Sequence, residues 1–115
     1  PAHYAGHLIL LNDHWDSMRD NGFLSNRLFD GAAMGTPVIT DPVAGLAEVF
    51  GDSVATAATA GDFTRLVREA LADPAPWLAR AARARDIVLA AHTFDHRAAT
   101  LAALIERLAA VKEGV

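Results

Sequence analysis

Three features of the chain predict an α/β fold, with a short parallel sheet flanked by helices and a helical C-terminus. Short apolar runs alternate with segments of helical period in the order β-α-β-α-β. The first run, Leu8-Ile9-Leu10-Leu11, is apolar throughout rather than alternating, as in a parallel strand buried on both faces. After the third run come three segments of helical character, each preceded by a residue suited to start a helix.

The first strand, Leu8 to Leu11, follows the N-terminus almost directly and ends at the polar Asn12-Asp13. Residues Asp13 to Leu24 are polar and irregular, a longer loop than structural connections usually need. A helix is predicted from Asn26 to Met34, with Leu28, Phe29, Ala32 and Ala33 on one face. Gly35 suits the left-handed residue that closes it. The second strand runs from Pro37 to Thr40, with proline at its start, where a missing donor is tolerated. Asp41-Pro42 breaks the chain, Gly45 to Phe50 forms a short helical turn closed by Gly51, and Ser53 to Ala57 makes a weak third strand. Asp62 is the expected cap of a helix carrying the stripe Phe63, Leu66, Val67, Ala70 and Leu71. Asp73-Pro74 starts the next, which runs to Ala91. Thr93 starts the last, with Asp95 in its first turn and Leu101, Leu104, Ile105 and Leu108 on one face.

The stretch Ser25 to Ile39 is the most informative about function. Ser25 is a good N-cap, and a helix entered from a strand-following loop is a ready anion site, because its unpaired amides and dipole favour phosphate. Arg27 in that first turn is badly placed for the dipole, and an anionic ligand explains it. The competing reading pairs Arg27 with Asp30, three residues on, across a solvated helix face.

With 115 residues the chain is sized for one domain, residues 1–115, and 52% hydrophobic composition supplies its core. A net charge of −4 argues against a nucleic-acid surface, which is basic. No apolar run approaches the roughly 18 residues that span a membrane, and no signal peptide is visible. Cysteine is absent, which suits a reducing compartment and leads to a cytoplasmic expectation. The sequence begins at Pro1 rather than Met, so a piece of a longer protein is expected.

Asn21-Gly22-Phe23, then Asp30-Gly31-Ala32-Ala33-Met34-Gly35-Thr36-Pro37-Val38-Ile39, then Gly45-Leu46-Ala47-Glu48-Val49-Phe50 follow the first strand in order. This pattern resembles the C-terminal, donor-binding half of GT-B glycosyltransferases, in particular the "glycosyl transferases group 1" relatives of the retaining kind. Ser25-Asn26-Arg27-Leu28-Phe29-Asp30 is typical of one subgroup, and His92-Thr93-Phe94-Asp95-His96-Arg97 resembles its C-terminal helix signature. The resemblance covers nearly the whole chain. It implies a half Rossmann-like domain that takes a nucleotide-diphosphate sugar and transfers the sugar with retention of configuration. It further implies that backbone amides at Leu24, Ser25 and Asn26 hold the diphosphate, with Arg27 assisting as the leaving group departs. Asp30 would bind the ribose hydroxyls, and Glu48 the base or ribose side. The family needs no bound metal or other cofactor. Its acceptor-binding N-terminal domain is absent here, so this chain alone is not expected to turn over.

The chain departs from the pattern at two points. The glutamate that contacts the donor sugar is replaced by Asn21, one residue too far from Asp30, and the second glutamate is shortened to Asp30. Two other readings stay open: a nucleotide-sugar epimerase on the same fold, and a non-catalytic nucleotide-binding or interaction module.

His14 follows a strand's C-terminal end, where open α/β sheets bind ligands, and is a candidate for the cleft. With Asp13 and Asp16 it offers too few convergent ligands for a metal. Trp15 is read as packing. His92 and His96 are expected to pack or cap the junction of the last two helices. Arg80, Arg83 and Arg85 are expected to make a solvated face. If the three strands are the family's last three, the strand beside Leu8 to Leu11 is missing. Such a bare apolar edge invites pairing with a second copy.

Overall fold

The computed structural model describes residues 2–114. It is an α/β fold whose elements run α1 (Ala2–Ala5), β1 (Leu10–Asn12), α2 (Asp16–Asp20), α3 (Asn26–Ala33), β2 (Val38–Thr40), α4 (Leu46–Phe50), β3 (Ala55–Thr56), α5 (Ala60–Ala72), α6 (Ala75–Ala91) and α7 (Phe94–Glu113). The three strands form one parallel sheet in the order β1-β2-β3.

The ladder starts where proline allows. Pro37 has no N–H to give, but its carbonyl accepts the Leu10 N–H at 2.8 Å. Leu10, Leu11 and Asn12 then stand opposite Val38, Ile39 and Thr40. Leu8 and Ile9 therefore precede the strand, which ends on Asn12 rather than Leu11. The expected burial of this run on both faces is corrected too. As an edge strand, β1 leaves Leu11 51% exposed, and Leu8 just before it is 40% exposed, whereas all of β2 is buried. A short helix, α1, occupies the stretch before β1 where none was expected, and its Tyr4 carbonyl accepts the Thr36 hydroxyl at 2.8 Å.

Val38 and Ile39 lie on opposite faces of the sheet, following the two-residue period of a strand. Val38 joins a core of Leu28 and Ala32 from α3, Leu46 and Phe50 from α4, Val54, and Ala84 and Val88 from α6. Ile39 joins Ala55, Ala57, Leu66 and Ala70 from α5, and Trp77 from α6. Helix α6 thus contributes to both layers. Small residues at Ala81 and Ala84, each 1% exposed, stand on its buried side.

Three caps differ from expectation or add to it. Thr59, not Asp62, caps α5: its hydroxyl accepts the Asp62 N–H at 3.1 Å, and the Asp62 carboxylate reaches back to the Ala58 N–H at 3.2 Å. Pro74, not Asp73, stands at the cap position of α6 and gives no side-chain bond. Thr93 caps α7 as expected, in a reciprocal box with His96.

The arginines of α6 do more than face water. Arg80 stacks over Trp77 at 5.1 Å, Arg83 reaches Asp52 at 3.7 Å, and Arg85 donates to the Ala33 carbonyl at 3.2 Å. Helix α7 buries none of its residues and leaves Leu101, Leu104, Ile105 and Leu108 exposed. The molecule accordingly measures 62 × 27 × 23 Å.

Candidate functional site

Two connections leave the C-terminal ends of β1 and β2, the side of a parallel sheet on which ligands bind. The first carries His14 and runs through α2 to Ser25. The second carries Asp41 and runs to α4. They touch where Gly22, at φ +68°, backs onto the Ala44 carbonyl, which a Cβ there would meet at 3.3 Å.

A buried chain of hydrogen bonds joins the two connections. Asn12 Nδ2 donates to Thr40 Oγ1 at 3.1 Å, and the Thr40 hydroxyl donates to Asp41 Oδ1 at 3.1 Å. The Asp41 carboxylate also accepts the His14 ring nitrogen Nδ1 at 2.6 Å, the His14 backbone N–H at 3.2 Å and Arg19 Nη1 at 3.4 Å. His14 Nε2 accepts the Ser25 backbone N–H at 2.9 Å. That amide can only donate, so the imidazole is neutral and carries its proton on Nδ1, facing the carboxylate. Burial works to raise the Asp41 carboxyl, but the hydrogen bonds from the His14 ring, the His14 backbone N–H and the Thr40 hydroxyl outweigh this and hold it below 3.8. Asn12 Oδ1 is, among the described residues, the buried side-chain oxygen left without a partner.

Ser25 is extended (φ −64°, ψ 139°) and its hydroxyl accepts the Arg27 N–H at 3.3 Å, so the cap read from sequence is formed. The first turn of α3 is then accounted for donor by donor. Ser25 N–H goes to His14, Arg27 N–H to the Ser25 hydroxyl and Leu28 N–H to the Ser25 carbonyl. The N–H groups of Leu24 and Asn26 have no acceptor among the described residues. Of the three amides singled out in the sequence, the structure leaves two open and closes the middle one.

Arg27 is half-exposed and turns back to Asp13, with Nη2 3.4 Å from its carbonyl and 3.8 Å from Oδ1. Pairing of Arg27 with Asp30 is therefore not what the helix does. Asp30 is exposed, has no polar partner among the described residues, and lines a pocket of about 370 Å³ between α3, the end of α6 and the start of α7. Asn26, Phe29, His92, Phe94 and Arg97 share that pocket. There Arg97 Nη2 donates to His92 Nδ1 at 2.8 Å, and the His92 ring packs on Phe29 at 5.7 Å. Burial, then the charges of Arg97 and His96, push His92 below 6.5.

Asn21 ends α2, and its side chain donates to the Ser17 carbonyl at 2.8 Å. Glu48 is exposed on the first turn of α4, its Oε2 lying over Gly45. His14 has both ring nitrogens engaged and a side chain with no exposure, so it sits beneath the site rather than in it. Asp41, Thr40, Asn12 and Arg19 were not singled out in the sequence. The signal that marks Asp41 is its place directly after a buried strand end, where a carboxylate needs a reason to be.

The arrangement offers an anion two open amides, the positive end of α3 and a guanidinium, with an unpartnered carboxylate one turn further along. A family model described as glycosyl transferase-like matches residues 1–103. No curated protein and no solved structure matches. The matched residues take in the whole sheet, the site and helices α1 to α6, and the chain belongs to the glycosyl transferase-like family.

Proposed function

We propose that this chain is the donor-binding domain of a GT-B, group 1 type glycosyltransferase that uses a nucleoside-diphosphate sugar and retains the configuration of the transferred sugar. The observation that carries the reading is the pair of open amides at Leu24 and Asn26, beside Arg27, in a chain of this family. The diphosphate rests on those amides and on Arg27. Asp30 accepts hydrogen bonds from the ribose hydroxyls, Glu48 lies toward the base or ribose side, and Asn21 lies toward the sugar.

When the bond from the sugar to the diphosphate breaks, negative charge develops on the departing phosphate. Fixed donors already aimed at that position lower the barrier without reorganising. Cationic help comes from Arg27 and the helix end, so this reading asks for no metal ion. An acceptor-binding domain completes the enzyme, and closure of the two would exclude water. The reading places the protein in the cytoplasm.

Calorimetric titration with UDP, GDP and ADP tests it. One of the three should bind, and Asp30→Ala should weaken that binding by about tenfold or more, the loss of a charged hydrogen bond. Absence of binding by all three overturns the reading.

A further inference from the structure

We infer that Asp41 is a positioning residue of the donor site, acting through His14 to hold the Ser25 amide inward and leave the Leu24 and Asn26 amides to the ligand. The inference rests on the nucleoside-diphosphate reading of α3 given above.

An imidazole offers two neutral tautomers, and only the one with Nδ1 protonated presents an acceptor to Ser25. The other sets a ring N–H against the Ser25 N–H, two buried donors with no acceptor between them. Asp41 Oδ1, 2.6 Å from Nδ1, is the acceptor that selects the first. Asp41 Oδ2 takes the His14 backbone N–H as well, so one carboxylate fixes both the ring and the turn that carries it.

The carboxylate is itself anchored to the sheet. Asn12 and Thr40 are partners in the β1–β2 ladder, Thr40 donates to Asp41, and His14 stands two residues beyond Asn12. The β1–β2 ladder thereby sets the position of the loop that opens α3. Because Ser25 is extended, its amide and that of Asn26 do not share a direction. Fastening the first inward leaves the second unengaged. Arg19 adds a guanidinium to the same carboxylate from α2, tying in the segment that leads to Phe23.

The test uses the full chain with Asp41→Asn, His14→Gln and the double variant, each read by imidazole and amide 15N NMR and by titration with UDP, GDP and ADP. Glutamine at position 14 offers Ser25 an acceptor oxygen that needs no tautomer selection. Wild type should show His14 protonated on Nδ1 and a protected Ser25 amide. Asp41→Asn should lose that signature and weaken the best-bound nucleotide by about tenfold, the worth of one hydrogen bond. In the His14→Gln background the same change should cost only about threefold, because the part that passes through the ring is gone while the bond to the backbone N–H of residue 14 remains. Equal losses in both backgrounds overturn the inference, as does undiminished binding by Asp41→Asn with the tautomer lost. A wild type that holds the tautomer yet binds none of the three nucleotides overturns the donor-site reading and this role with it.

Discussion

Thr40 stands opposite Asn12 in the β1–β2 ladder, and the two side chains are hydrogen-bonded at 3.1 Å at the end from which the site grows. Direction along the chain of bonds is then fixed: the Thr40 hydroxyl gives its proton to Asp41, so it must accept from the Asn12 amide nitrogen. Everything above the sheet, through His14 to the start of α3, hangs from that order.

Acid should weaken the fold in two separable stages. His92 in the folded chain has a pKa below 6.5, so as pH falls past 6.5 the unfolded chain binds a proton that the folded one resists, and stability declines. The Asp41 carboxyl lies below 3.8, so its contribution is whole above 3.8 and is lost as pH falls through the folded value. Thermal melts from pH 8 to 2 should show both declines, and Asp41→Asn should flatten the second while leaving the first.

Ser25→Ala should destabilise the chain by about 1 kcal/mol, the usual loss on deleting an N-cap. The Ser25 N–H to His14 is a backbone bond and survives the change. Urea unfolding should therefore show the loss while the His14 tautomer stays as it was.

Gly35 follows α3 at φ +70°, and a Cβ there would find only the Arg85 side chain within 4 Å, at 3.8 Å. Space is not the obstacle, so Gly35→Ala isolates the backbone penalty. A loss of about 1 kcal/mol in urea unfolding is expected.

Arg27→Ala separates stability from binding. Its ion pair with Asp13, 3.8 Å long and exposed, adds little to the fold, so unfolding should change by less than about 0.5 kcal/mol. Nucleotide affinity should fall by about tenfold, since a charged hydrogen bond to phosphate is lost. The wild-type dependence of affinity on salt should flatten in the variant.

Much of this was legible in the sequence, and the exceptions have physical reasons. The β-α-β-α-β order, the Ser25 cap, the Gly35 stop and the Thr93 start are local properties, written in residue type and spacing. The true start of β1 depends on its pairing with Pro37, which no local pattern reveals. The exposure of Leu11 follows from its place at the sheet edge. Helix α2 hides in a polar stretch because none of its five residues is buried, so it has no apolar stripe to announce it. In the site, the placing of Arg27 in the first turn of α3 could be read from the sequence, but not that its side chain turns to Asp13. Nor could His14 be seen to lie beneath the site, because its partners Asp41 and Ser25 are 27 and 11 residues away.

The measurement closest to the centre of this account is the 1H–15N spectrum of the chain titrated with UDP, GDP and ADP. The amides of Leu24 and Asn26 should move most on binding, Arg27 and Asp30 next, while Ser25 stays protected by His14. Shifts confined to residues away from the start of α3, or no shift with any of the three, would contradict it.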